Sequence, residues 1–193
     1  VDPADAQKVF KTLEDFAAYG FNKSHAACYA LIAYQTAYLK AHYPSAFMEA
    51  LMTSDLNNNE RIAIEIEEAE QMGIKILPPD VNESYIDFGV VVDKGVPIPI
   101  EKEEQAPRII RFGLAAIKNV GLGVALGIVR ERKRNGPFKS FADFISRCAK
   151  LELEGGNSII NKKTLEALSK GGALDALIER NRCLENMEQI LKF

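Results

Sequence analysis

Asn22-Lys23-Ser24-His25 gather a carboxamide, an ammonium, a hydroxyl and an imidazole in four consecutive residues, just after Gly20 permits a tight turn into a new helix. The first amides of a helix have no intrahelical acceptor, and the aligned peptide dipoles leave that end positive. An anion is therefore favoured there, with Lys23 as a mobile charge and Ser24 as a hydroxyl donor. A triphosphate has the charge and the acceptor oxygens that such a turn can hold. The plainer reading is that Ser24 caps the helix and His25 fills a polar gap.

A second constellation follows Phe112-Gly113-Leu114-Ala115-Ala116-Ile117. There Lys118-Asn119-Val120 leads into Gly121-Leu122-Gly123, and a new helix starts with Val124. Glycines let a backbone approach a ligand with no Cβ in the way. The exposed amides at such a helix start can bind a DNA phosphate without reading a base. Downstream, Arg130, Arg132, Lys133 and Arg134, with Lys139 beyond, supply a basic cluster able to follow a phosphate backbone. The alternative is a plain helical turn followed by a solvated charged face. A further hairpin is read over 161–175, where Asn161 caps a helix that Gly171-Gly172 ends, and a purely structural role fits it equally well. In Gly136-Pro137-Phe138-Lys139-Ser140-Phe141-Ala142-Asp143-Phe144, Ser140 caps a helix with Asp143 at N3, and the three phenylalanines read as core.

The elements that must position these groups change character along the chain. An amphipathic helix over 4–18 is capped by Asp2, starts at Pro3, and carries Val9, Leu13, Phe16 and Ala17 as its apolar stripe. A longer helix runs to about residue 41 with Ala27, Leu31, Tyr34 and Tyr38 as its expected buried face. Pro44 separates it from a helix over about 45–53, and Asn58 or Asn59 caps another over about 60–72 that Gly73 stops. Short extended runs follow at 74–77, 85–92 and 109–112. Between the last two, 93–108 is rich in proline and charge and reads as an exposed loop and boundary. The expected fold is mainly α with a small β hairpin.

Of 193 residues, 47% are hydrophobic and 26% charged, enough for a core in one large or two small domains. No apolar run approaches the roughly 20 residues of a membrane span. The start, Val1-Asp2-Pro3, has neither signal-peptide features nor an initiator Met, which points to an excised piece of a cytoplasmic protein. Cys28, Cys148 and Cys183 are scattered, with only His25 and His42 to help, so a zinc site is not expected. Residues 1–106 carry 8 Lys+Arg against 18 Asp+Glu, a net of −10, whereas 107–193 carry 16 against 9, a net of +7. The basic half invites a polyanion, although the two halves can equally attract each other.

Five segments in order, YGFNKSHAACYALIAYQTAYLKAHYP (19–44), ILPPDVNES (76–84), IRFGLAAIKNVG (110–121), GPFKSFADF (136–144) and NKKTLEALSKGGALDAL (161–177), resemble the bacterial DNA polymerase III alpha subunits, the C-family replicative polymerases. The resemblance implies that 1–92 is the C-terminal part of a helical fingers domain and that 109–193 is a tandem helix-hairpin-helix DNA-binding module. It implies contact with the incoming dNTP at Asn22, Lys23, Ser24 and His25. It also implies a sequence-independent grip on primer–template duplex through Lys118, Gly121, Leu122, Gly123, Val124, Arg130, Arg132, Lys133 and Arg134. Polymerisation in that family uses Mg2+ held by palm carboxylates. These would lie outside this segment, so no catalytic residue, metal ligand or cofactor is assigned here, and the segment alone is expected to be inactive. Other replicase subunits would be met through parts of the parent chain beyond it, and no membrane contact is implied. Val124-Ala125 stands where DNA-binding hairpins often place a lysine. The terminal Gln189-Ile190-Leu191-Lys192-Phe193 is a poor match to a clamp-binding peptide, since Leu184, Met187, Ile190 and Leu191 already form a helix face. The competing readings are a free-standing helix-hairpin-helix module and a helical protein-interaction segment.

Overall fold

The computed structural model describes residues 2–18, 22–91, 108–153 and 156–192, and divides into two compact units, residues 1–41 and 42–193. The first unit is helical, with α1 (Pro3–Ala18) followed by α2 (Lys23–His42). Asp2 caps α1 as expected, its carboxylate accepting from the Ala4 amide at 3.0 Å. The cap of α2 is Asn22 rather than Ser24: the Asn22 side chain accepts from the His25 amide at 3.0 Å. The Gly20 turn lies outside the described residues. The apolar faces of both helices correct the expectation of burial. Val9, Leu13, Phe16, Leu31, Tyr34 and Tyr38 are all exposed, as are Ala17 and Ala27. Periodicity identifies which face is apolar, but it does not say where the cover for that face comes from.

In the second unit, α3 (Pro44–Ser54) begins on its proline, and α4 (Asn59–Gln71) is capped by Asn58, which accepts from the Arg61 amide. Both pack on a three-stranded sheet of order β1 (Lys75–Leu77), β3 (Ile109–Arg111), β2 (Gly89–Val90). The central strand β3 is buried along its length and pairs parallel with β1 and antiparallel with β2. Met48, Met52, Ile62, Ala69, Ile74, Phe88 and Ile110 close this core. The extended run expected over 85–92 shortens to β2. The Tyr85 and Ile86 carbonyls instead accept from the Leu114 and Ala115 amides, both at 2.9 Å. Gly113 makes that approach possible, since a Cβ there would stand 2.4 Å from the Asp87 backbone. All of 93–108 except Arg108 lies outside the described residues, and the strands on either side of it pair in one sheet.

Beyond the sheet come a 3-10 turn (Leu114–Ala116), α5 (Leu122–Asn135), α6 (Phe141–Cys148), α7 (Lys162–Lys170), α8 (Arg180–Glu185) and α9 (Met187–Ile190). Leu114, Ile128, Phe144, Leu165, Leu168 and Leu174 are fully buried in their common core. Phe138 is buried with Phe144 at 5.0 Å edge to face, whereas Phe141 is half-buried at the core's margin. The turn over 78–84 ties these parts together. Ser84 accepts from the Asp80 amide and donates to the Phe112 carbonyl, and Asn82 bonds both backbone groups of Phe138. The Val81 amide donates to the Ala173 carbonyl at 2.9 Å. The fold is mainly helical with one small sheet, as the patterning implies.

Candidate nucleic-acid interface

The first hairpin is set by residues with little choice of conformation. Asn119 takes φ 71°, a left-handed value that asparagine tolerates better than most residues, and it turns the chain so that Val120 is buried. Gly121 is then the N-cap of α5, with ordinary φ −72° and ψ 158° and no side chain to cap the helix. Its carbonyl accepts from the Val124 and Ala125 amides at 3.0 and 3.1 Å. The amides of Leu122 and Gly123, at the first two helical positions, have no intrahelical acceptor to reach.

The two glycines differ in kind. A Cβ on Gly123 would stand 2.7 Å from Leu153 Cδ2, the end of a flexible side chain that would have to shift. A Cβ on Gly121 would meet nothing within 4 Å, and its φ is negative, so nothing inside the fold requires glycine there. Leu122 is 60% exposed. Uncapped amides and an open backbone therefore face outward together at the positive end of α5.

The basic residues divide. Lys118, Arg130, Lys133 and Arg134 are exposed, whereas Val124 is buried in the core. Arg132 turns inward and donates to the Val81 and Ser84 carbonyls, both at 2.8 Å. It is held by the 78–84 turn and does not join the exposed cations. Burial pulls its pKa down, and nearby Tyr85, Asp80 and Glu83 oppose that shift.

Arg147 was not singled out in the sequence, yet it holds the return from α5 to α6. It pairs with Glu131 at 2.9 Å and Asp143 at 3.2 Å, donates to the Gly136 carbonyl at 2.9 Å, and lies 4.4 Å over the Phe138 ring. Hydrogen bonds from Asn135 and Arg147 lower the Glu131 pKa; the Lys139 amide first, then Arg147, lower that of Asp143. Asp143 also completes the cap of α6, where Ser140 accepts from the Asp143 amide.

The second hairpin turns inward. Asn161 caps α7 by accepting from the Thr164 amide, and Gly172 takes φ 83° past the helix end. Ala173 and Leu174 are buried, and Asp175 is held by Arg180 at 2.6 Å. Lys163 and Lys170 of α7 line the same groove as Lys118. Their signal in the sequence was the recurrence of 163, 166 and 170 on one helix face.

The Asn22-to-His25 turn belongs to the first unit, with all four residues exposed. His25 lies against Tyr29, with ring centroids 4.4 Å apart and planes tilted by 55°. Among the described residues no three His, Cys, Asp or Glu side chains converge as a metal site would need, and no helix is long and apolar enough to cross a membrane. Cys148 and Cys183 are buried and Cys28 is exposed. Burial pushes the Cys148 thiol up to about 12.

The model of the helix-hairpin-helix motif matches residues 73–184, from the start of the sheet through both hairpins. The chain belongs to that helix-hairpin-helix family. It is also 45% identical, over 100% of its length, to DNA polymerase III subunit alpha of Thermus aquaticus. The subunit of Deinococcus radiodurans is 42% identical over 97% of the chain, and that of Borreliella burgdorferi 42% over 99%. The chain spans only 14%, 12% and 15% of those three relatives. The helix-hairpin-helix match thus begins near the end of the acidic half and covers most of the basic half of a segment similar to a polymerase subunit throughout.

Proposed function

We propose that this chain is a holding segment of a replicative DNA polymerase: it grips primer–template duplex through the first hairpin and contacts the incoming dNTP through the turn at 22–25. The observation that carries the duplex reading is the start of α5, where the N-cap Gly121 has no side chain to bond the first amides and no neighbour within 4 Å of where a Cβ would stand. Phosphate oxygens are the ligands such a start favours, and they carry no sequence information. Exposed Lys118, Arg130, Lys133 and Arg134 add charge that acts over several phosphates. The polymerase part of the reading is supported by similarity along the whole chain to DNA polymerase III alpha subunits. Bond formation would fall to the rest of such a polymerase. In this reading Mg2+ and the carboxylates that hold it would belong to that remainder as well.

The test of the duplex reading is fluorescence anisotropy of a labelled duplex against the chain at increasing salt. Weak, sequence-independent binding is expected, with log K falling by about 0.9 per phosphate contacted for each unit of log salt. Absence of binding at low salt would remove the reading. For the nucleotide contact, Lys23→Ala in the full-length polymerase should raise the KM for dNTP, and unchanged steady-state incorporation kinetics would sink that assignment.

A further inference from the structure

Glu65 lies on the buried face of α4 with Ile62 and Ala69, and its side chain is 5% exposed. Neither of its carboxylate oxygens has a hydrogen-bond partner among the described residues. An ionised carboxylate in that position gives up its hydration and gets little in return. Arg61, one turn earlier, has its Nε 3.7 Å from Glu65 Oε1, and the same Nε lies 2.9 Å from Asp55. One guanidinium thus stands between two carboxylates, which leaves the cluster a negative charge in surplus when both are ionised. α4 packs on α3 and β1. From α3 the group that faces Glu65 is Asp55, its C-cap, whereas Glu49 accepts from Thr53 at 3.3 Å. The charge on β1 is Lys75, which is exposed. Burial first, and then Asp55, raises the Glu65 pKa above the ordinary glutamate value, with Arg61 opposing the shift.

We propose that Asp55 and Glu65 share one proton in the folded chain, and that the α3–α4 contact is a proton-dependent clasp, closed with the proton in place and loosened when both carboxylates ionise. The protonated carboxyl of Glu65 donates to Asp55, which still accepts from Arg61, so every charge left in the cluster is paired. Loss of the proton to solvent leaves a buried carboxylate facing a like charge. The proton belongs to the pair rather than to either residue. The consequence reaches the first hairpin. Met48, Met52 and Ile62 of the clasped helices share a core with Ile110 of β3 and Ala116 of the 3-10 turn, which lead into residues 118–121. The clasp uses none of the groups proposed to meet DNA or nucleotide, so it stands apart from those readings.

The experiment follows the Glu65 carboxyl carbon by NMR through a pH titration of the whole 193-residue chain, natural and Asp55→Asn. It also compares the melting temperatures of the natural chain and Glu65→Gln. In the natural chain the Glu65 midpoint is expected above the ordinary value of about 4.3. In Asp55→Asn it is expected to fall, because the like charge is gone. A carboxyl whose folded value is raised contributes fully below its unfolded value, and that stability is lost as pH rises through the folded one. Glu65→Gln is therefore expected to melt a few degrees above the natural chain at about pH 8, with the gap closing towards about pH 4. A Glu65 midpoint at or below the ordinary value would overturn the clasp, as would a midpoint that Asp55→Asn leaves unmoved. A Glu65→Gln chain that melts at or below the natural one at the higher pH would overturn it too, because the ionised pair would then be the stabilising form.

Discussion

Arg130, Arg132 and Arg134 lie within five residues, yet they serve two purposes. On a helix, positions four apart share a face, and the one between them points away. Arg130 and Arg134 are exposed, whereas Arg132 is bound to the Val81 and Ser84 carbonyls. The cluster was legible in the sequence as charge; the split was not, because the acceptors of Arg132 lie about fifty residues away. Arg132→Ala is expected to cost about 2 kcal/mol of stability, since two inward carbonyls lose a charged donor, while the salt slope for duplex stays as it was. Arg134→Ala should do the reverse, flattening the slope by about 0.9 with an unchanged melting curve. Thermal melts and salt titrations of the two variants check this, and the opposite assignment of effects would refute the division.

Among elements, what could be read was what is local. The caps at Asp2, Asn58, Ser140 and Asn161 bond amides two or three residues onward; residue type and spacing point to three of them, and to Asn58 as one of two candidates with Asn59. The α2 cap was misplaced to Ser24 because Asn22, two residues earlier, competes for the same amides. Arg147 escaped notice since its partner Glu131 sits on a different helix. Arg147→Ala should destabilise the protein by about 2 kcal/mol near neutral pH, as Glu131 loses a charged donor and keeps only its bond from Asn135. Folding depresses the pKa values of Glu131 and Asp143, so the stability they contribute is present above the ordinary carboxylate values near 4 and is lost as pH falls through their lowered ones. The difference in melting temperature between natural protein and variant should therefore be widest above pH 5 and narrow on acidification. A gap independent of pH would show that the ion pairs contribute nothing and that the packing of Arg147 on Phe138 and its bond to the Gly136 carbonyl account for the whole effect.

For the molecule as a whole, composition shows a charge asymmetry: the acidic half carries −10 and the basic half +7, and the helix-hairpin-helix match runs from residue 73 in the first to residue 184 in the second. The three extended runs became three strands, but the parallel pairing of β1 with β3 joins residues 34 apart, Lys75 with Ile109, and no local pattern encodes that. The exposed apolar faces of α1 and α2 are the other half of the lesson: their amphipathic pattern was read correctly and their burial was not. The claim on which the account depends is that Gly121 is open to admit a phosphate, and Gly121→Asp tests it most directly. Aspartate is a favoured N-cap, the backbone there has negative φ, and its Cβ would have free space, so the fold should be kept or stabilised by a few tenths of a kcal/mol. Its carboxylate would take the amides of α5 and repel an anion. The result expected from a thermal melt paired with duplex anisotropy is an equal or higher melting temperature with duplex affinity reduced at least tenfold at low salt. A variant that melts like the natural protein and binds duplex just as tightly would contradict the claim.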